Sequence, residues 1–199
     1  MIVVGLTGSI GMGKSTVSKM FGELGAETWS ADDAVHRLYA PGGAGAAALG
    51  EAFPEAVVDG AVDREKLSTL VMNNPDALTA LEMIVHPLVA ADRKAFLEDA
   101  AVRGVGIAVL DIPLLFERGY ENQFDATVVV SAPPDVQRVR VLSRPGMTAE
   151  KFEALLARQL SDAEKRACAD YVVSTDRPLE ETRAEVATIM TALKVRARH

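Results

Sequence analysis

Cysteine is almost missing from this chain of 199 residues, with Cys168 as the single example. One thiol permits no internal disulfide, and a reducing compartment is the expectation. Cys168 itself reads as a small buried apolar residue near a helix end. Histidine is nearly as scarce, at three residues. No second His or Cys lies at metal-ligand spacing from His86, which argues against a zinc site. No apolar run approaches the length of a membrane span. The first apolar segment is short and has no basic start, unlike a signal peptide. Positive charge is outweighed, giving a formal net charge of −7. That argues against general nucleic-acid binding, which needs a basic surface. It leaves anionic small substrates open, because the local field matters more than the total. The expectation is a cytoplasmic monomer with no nucleic-acid and no membrane partner.

Apolar residues are plentiful, at 49%, enough for a packed core. The length suits a single domain over 1–199 carrying a substantial insertion. The most informative stretch is Gly8-Ser9-Ile10-Gly11-Met12-Gly13-Lys14-Ser15-Thr16. It fits G-x-x-x-x-G-K-[ST], the phosphate-binding P-loop. Ile2, Val3, Val4 and Leu6 form an apolar strand before it, and Val17, Met20, Phe21 and Leu24 follow at helical spacing. Glycine lets the backbone wrap closely round a polyphosphate. The loop amides and the positive end of the next helix then face the anion. Gly11, Met12, Gly13, Lys14, Ser15 and Thr16 are therefore the expected nucleotide-binding residues. Lys14 is expected to reach the β/γ-phosphates and the Ser15 hydroxyl to ligate Mg²⁺.

Short apolar, β-branched runs recur near Ile2–Leu6, Ala26–Trp29, Val105–Leu110, Ala126–Val130 and Tyr171–Ser174, as in a parallel sheet covered on both faces. Helical patterns follow the P-loop and occupy Pro134–Ser143, Ala149–Leu160 and Pro178–Val195, the last with Asp176 available as N-cap. Ser161-x-x-Glu164 reads as a capping box. The alternation predicts a doubly wound α/β fold. The fold expected is thus a P-loop NTPase of three layers, α/β/α, on a five-stranded parallel sheet. From Pro41 to Arg103 no strand is evident and helical periodicity dominates. Leu67, Leu70 and Val71 form one stripe, Leu78, Leu81, Ile84 and Val85 another, with Asn73-Asn74-Pro75 between them. This predicts a helical insertion over 40–104, a cap over the sheet edge that forms part of an acceptor site.

Asp32 and Asp33 follow the second strand, at the end of an open sheet where ligands bind. Asp32 suits a general base accepting a proton from an attacking hydroxyl, and also Mg²⁺ ligation through water. Asp33 is expected to cap a helix or stand exposed. Asp111 closes an apolar strand in Val109-Leu110-Asp111-Ile112-Pro113 and suits the second metal-side element. A basic cluster of Arg138, Arg140, Arg144, Lys151, Arg158, Lys165 and Arg166 follows the fourth strand. Phosphoryl transfer is mostly positioning and charge stabilisation. Arginines on a mobile helical pair could close over a triphosphate and exclude water. Arg140 and Arg144, four apart on one helix face, lead as lid candidates over 134–168, with Arg158 third. His86, ahead of Pro87, alone reads as a helix-boundary residue.

Taken together these stretches resemble the dephospho-CoA kinase family over nearly the whole chain. The resemblance rests on Val4–Thr16, on Ala31-Asp32 with Leu38 and Pro41-Gly42, and on His86-Pro87-Leu88-Val89. It rests most on Asp111-Ile112-Pro113-Leu114-Leu115-Phe116-Glu117, then on Arg140, Arg144, Arg158-Gln159 and Ala169-Asp170-Tyr171-Val172-Val173. It implies transfer of the ATP γ-phosphoryl to the ribose 3′-hydroxyl of dephospho-CoA, with Mg²⁺, in the last step of coenzyme A synthesis. It implies Asp32 as base, Lys14 and Arg140 as catalytic phosphate contacts and Arg144 as an ATP contact. Ser15, Asp32 and Asp111 are implied at the metal, and His86 and Leu114 at the acceptor. Ser30 stands where the family often has an acid, Val173-Ser174-Thr175-Asp176 lacks a frequent Asn, and Met12 replaces a small residue. A GTP-hydrolysing switch is disfavoured, since the chain has no N-K-x-D motif and Asp111 lacks the D-x-x-G glycine. A regulator without catalysis would have lost part of the set that is intact here. Another small-molecule kinase is the nearest rival.

Overall fold

The computed structural model describes residues 1–72 and 74–196. It divides into two compact units, one built from Met1–Trp29 and the chain from Ala100 onward, the other from Ser30–Asp99. The chain begins with β1 (Ile2–Thr7), α1 (Lys14–Glu23) and β2 (Glu27–Ser30). The helical unit follows with α2 (Ala31–Tyr39), α3 (Ala44–Ala52), β3 (Val57–Val58), β4 (Ala61–Val62), α4 (Arg64–Val71) and α5 (Pro75–Val102). The sheet unit resumes with β5 (Ile107–Asp111), β6 (Ala126–Ser131), α6 (Pro134–Leu142), α7 (Ala149–Leu156), α8 (Asp162–Cys168), β7 (Tyr171–Ser174) and α9 (Leu179–Arg196). Among the described residues no helix is long and apolar enough to cross a membrane.

The five long strands form one parallel sheet in the order β2-β5-β1-β6-β7. β1 lies at its centre, with Val4 beside Val109 of β5 and Ala126 of β6. Every residue of β5 and β6 is buried, which is why these strands are mainly apolar rather than alternating. One face packs Val4, Leu6, Val109, Val128 and Val173 against Val17, Met20 and Phe21 of α1 and Val186, Ile189 and Leu193 of α9. The P-loop leaves the carboxyl end of the central strand, so this core fixes where it starts. In the helical unit a separate core gathers Ala46, Leu49, Ala56, Val62, Leu67 and Val85.

The five sheet strands lie within two residues of their expected positions, and Ser161 with Glu164 forms the predicted capping box. Several details differ. β3 and β4 pair as a small antiparallel hairpin where no strand is expected. Its turn is Asp59-Gly60, both at positive φ (51° and 76°), the hairpin signature that the sequence carries between two apolar pairs. Pro87 lies inside α5 instead of at its end. Met83, His86 and Pro87 are exposed, so water can satisfy the Met83 carbonyl that proline deprives of its donor. Val85 on the other side stays buried in the core of the helical unit. Asn74 caps α5, its Oδ1 accepting the Ala77 N–H at 3.1 Å, with Pro75 first in the helix; Asn73 lies outside the described residues. α7 ends at Leu156, and α9 begins at Leu179, which leaves Asp176 too early to cap it. Cys168 is exposed rather than buried, because the one inward-facing position of short α8 is taken by Lys165.

Candidate active site

Between β1 and α1 the chain makes a tight loop. Gly11 and Gly13 both have left-handed φ, 80° and 90°, a region side chains resist. Space forbids side chains as well: a Cβ on Gly11 would stand 2.5 Å from Val141 Cγ2. Gly13 is the N-cap of α1 and offers no side-chain cap, so the first amides of the helix stay unsatisfied by the usual device. Among the described residues the amides of Gly11, Gly13, Lys14 and Ser15 donate to no protein acceptor. Free amides at a helix N-terminus favour an anion. Met12 is turned the other way. Its amide donates to the Ser9 carbonyl at 3.2 Å and its side chain is 2% exposed, so it belongs to the core rather than to the cradle. Its sulfur accepts the Ala132 N–H at 3.1 Å. Ser15 and Thr16 are exposed on the first turn of α1.

The Lys14 ammonium is ion-paired with the Asp111 carboxylate. Asp111 ends β5, next to the central strand, and is buried. The sheet thus brings together the loop cation and the strand-end acid expected at the metal. Thr7 ties the base of the loop to the segment after Asp111, donating to the Pro113 carbonyl at 3.3 Å.

The basic cluster does not act as one group. Lys165 is fully buried, with its Nζ 2.9 Å from Glu117 Oε1, so it is an internal ion pair and no part of a lid surface. Arg138 pairs with Glu153 at 3.0 Å, joining α6 to α7. Arg140 donates to the Thr175 hydroxyl at 2.9 Å and to the Thr175 carbonyl at 2.6 Å. Arg144 is exposed and stands two residues beyond the end of α6. It nonetheless lines one cavity of about 320 Å³ with Arg140, Gly11, Gly13, Thr16 and Thr175. That volume is at the lower end for small-ligand sites. Arg158 is exposed.

Asp32 and Asp33 are both exposed in the first turn of α2, where negative charge suits the helix dipole. Neither is the cap. Ser30 is, its hydroxyl accepting the Asp33 N–H at 3.2 Å, which gives the residue replacing the family's acid a structural task. His86 is exposed on α5 of the helical unit, and Leu114 is half-buried after β5 in the sheet unit. Among the described residues no group of three or more His, Cys, Asp or Glu is arranged to hold a metal by itself.

Three residues around the P-loop carry more than their sequence context suggests. Gln137 is 6% exposed and donates to the Ile10 carbonyl at 2.7 Å. Gln159 Oε1 accepts the Ile10 N–H at 3.2 Å. The Thr175 hydroxyl donates to the Met12 carbonyl at 2.7 Å. Gln137 could have been noticed as a polar residue four positions before Val141, on the buried stripe of α6. Glu117 also accepts the Leu160 N–H at 2.9 Å, so the end of the Asp-Ile-Pro-Leu-Leu-Phe-Glu stretch anchors the chain beside Gln159.

The dephospho-CoA kinase family model matches residues 2–181. A dephospho-CoA kinase of Mesorhizobium japonicum is 55% identical over 194 residues, covering 98% of each chain. One from Brucella melitensis is 52% identical and covers 97% of this chain and 96% of its own. Among solved structures, a Thermus thermophilus protein is 34% identical with a TM-score of 0.81 and covers 96% of both chains.

Proposed function

The chain belongs to the dephospho-CoA kinase family, and on that premise we propose how its residues divide the reaction. It transfers the γ-phosphoryl group of ATP to the ribose 3′-hydroxyl of dephospho-CoA, giving coenzyme A and ADP in the last step of coenzyme A biosynthesis. The amides of Gly11, Gly13, Lys14 and Ser15, with Thr16 beside them, receive the polyphosphate of ATP. Lys14 exchanges Asp111 for the β/γ-phosphates. Asp32 accepts the proton of the 3′-hydroxyl as the new O–P bond forms and the bond from the γ-phosphorus to the ADP oxygen breaks. Its exposure and its place directly after β2 support that role. Arg140 and Arg144 meet the phosphates from the 134–168 lid and exclude water, which would otherwise compete with the acceptor. The helical unit contributes to dephospho-CoA binding, with His86 there and Leu114 after β5 as contacts.

The oxygen donors Ser15 and Asp111 fit Mg²⁺. That ion needs only one or two protein oxygens when phosphates and water supply the rest, in keeping with the lack of an all-protein cluster among the described residues. Ser15 and Asp111 would hold it, with Asp32 acting through water. When bound it neutralises charge on the transferring phosphates. The enzyme acts as a cytoplasmic monomer.

The observation that carries this reading is the Lys14–Asp111 pair set beside amides that no protein group among the described residues satisfies. The test is ADP formation from ATP and Mg²⁺ with dephospho-CoA, with other alcohols, and with no acceptor. ADP release only with dephospho-CoA is expected. Equal release without an acceptor, or faster release with another alcohol, would overturn the assignment.

A further inference from the structure

The free amides of the P-loop raise the question of what aims them. A peptide unit is planar and trans, so its C=O and the next residue's N–H point in opposite directions. Holding the carbonyl of one residue therefore sets the direction of the following amide. Two such holds are present. Gln137 Nε2 donates to the Ile10 carbonyl at 2.7 Å, on the far side of the peptide whose N–H belongs to Gly11. The Thr175 hydroxyl donates to the Met12 carbonyl at 2.7 Å, on the far side of the peptide whose N–H belongs to Gly13. Gly11 and Gly13 are the two residues whose left-handed φ makes the loop, and their amides donate to no protein acceptor among the described residues. Arg140 supports the second hold by donating to the same Thr175 hydroxyl, whose single proton has the Met12 carbonyl at 2.7 Å as a much nearer acceptor than the Ser131 carbonyl at 3.4 Å.

We infer that Gln137 and Thr175 are positioning residues that aim the Gly11 and Gly13 amides at the nucleotide phosphates, and that Arg140 acts partly through Thr175. Gln137 is too buried to reach a ligand in the cavity, so its effect travels through the Ile10–Gly11 peptide. Gln159 works in the opposite sense. Its side-chain oxygen takes the Ile10 N–H at 3.2 Å and keeps that amide out of the cradle. The amide orientations of both glutamines are forced, because a carbonyl needs a donor and an N–H needs an acceptor. Preorganised donors are worth most when they need not turn at the moment of binding or reaction.

This inference rests on the kinase reading only in taking the bound anion to be a nucleotide phosphate. The test is ADP–Mg²⁺ titration by calorimetry on the full chain, with steady-state KM for ATP and for dephospho-CoA and a thermal midpoint for every variant. Gln137→Leu removes the donor, and Gln137→Glu sets a carboxylate against the Ile10 carbonyl. Thr175→Val removes the hydroxyl at constant shape, and Thr175→Ser restores it. Nucleotide affinity and KM for ATP are expected to worsen about tenfold in Gln137→Leu and Thr175→Val, and further in Gln137→Glu. Thr175→Ser is expected within about threefold of the parent, and KM for dephospho-CoA is expected to hold throughout. Should Gln137→Leu fail to fold, the Thr175 pair decides alone. ADP affinity within twofold of the parent in the folded Leu and Val variants, or a Ser variant as weak as the Val one, would overturn the inference. A parent that binds ADP yet never phosphorylates dephospho-CoA would sink the acceptor assignment and leave the aiming of the amides standing.

Discussion

The two units bury their chains differently. In the sheet unit all of β5 and β6 is buried, and one continuous core joins strands to α1 and α9. In the helical unit the buried cluster among the described residues is small, with two of its six members alanine, and much of the packing is by half-buried side chains such as Tyr39, Phe53 and Leu81. The dense core is the one that carries the P-loop and the Lys14–Asp111 pair, and close packing restrains both. A thinner core gives less to lose on local opening, so the helical unit is expected to be the readier of the two to open alone. The difference shows that one short chain can build a dense core and a thin one by distributing its apolar residues unevenly.

The sharpest way to break this contrast is at the fixed chemistry. Lys14→Ala should cut transfer by about 10³-fold or more, as expected when a main phosphate counter-charge goes; parental rates in a coupled ADP assay would contradict its role. Asp32→Asn moves the question to the helical unit. It should lower turnover on the order of 10²-fold while ATP affinity holds, as for loss of a general base. Turnover within a few-fold of the parent would remove Asp32 from the chemistry.

The next tests concern stability. Leu49→Ala, at a fully buried position of the helical core, should cost about 3 kcal/mol. Amide exchange should quicken across 30–99 while β1, β5 and β6 keep their protection. Equal quickening in both units would show that they do not open separately. Pro87→Ala should stabilise α5 by about 1–3 kcal/mol, since it restores a donor in a helix interior; a lower midpoint in urea would mean that proline shapes the helix usefully. The smallest effect is expected at α8. The Glu164 carboxyl lies below its ordinary pKa because of hydrogen bonds from the Ser161 side chain and backbone. A depressed folded-state pKa adds stability above the unfolded value and loses it as pH falls through the folded one. Glu164→Ala should therefore lower the urea midpoint at pH 7 and leave it nearly unchanged well below the carboxylate range. A pH-independent difference would mean that the charge does not matter.

Much of the architecture was legible because it is written locally. The β-branched runs mark the sheet strands, Gly11 and Gly13 mark a loop only glycine can make, and Ser161-x-x-Glu164 marks its own helix. The site was legible where one residue type has one chemical use, as for Lys14 at the end of a phosphate loop. It was not legible where the same residue type has several uses. Lys165 looked like one of a row of solvated cations and proved to be the buried partner of Glu117. Gln137 gave no cue beyond an awkward position on an apolar stripe. Asp59-Gly60 is a local turn signal, but each strand it joins has only two residues, too few to show a strand pattern.

Alone, the order of residues determined the phosphate loop, the alternation of strand and helix, and the family, because these depend on backbone preferences and short spacings within a few neighbours. Folding in three dimensions decided which cation is buried, that Pro87 stays inside a helix, that Cys168 faces out, and which way the Gly11 and Gly13 amides point. The buried cation depends on a partner outside its own helix, Glu117, and the amide directions depend on partners more than a hundred positions away, Gln137 on Ile10 and Thr175 on Met12. No local preference can report a hydrogen bond whose other half arrives only when the chain has closed on itself.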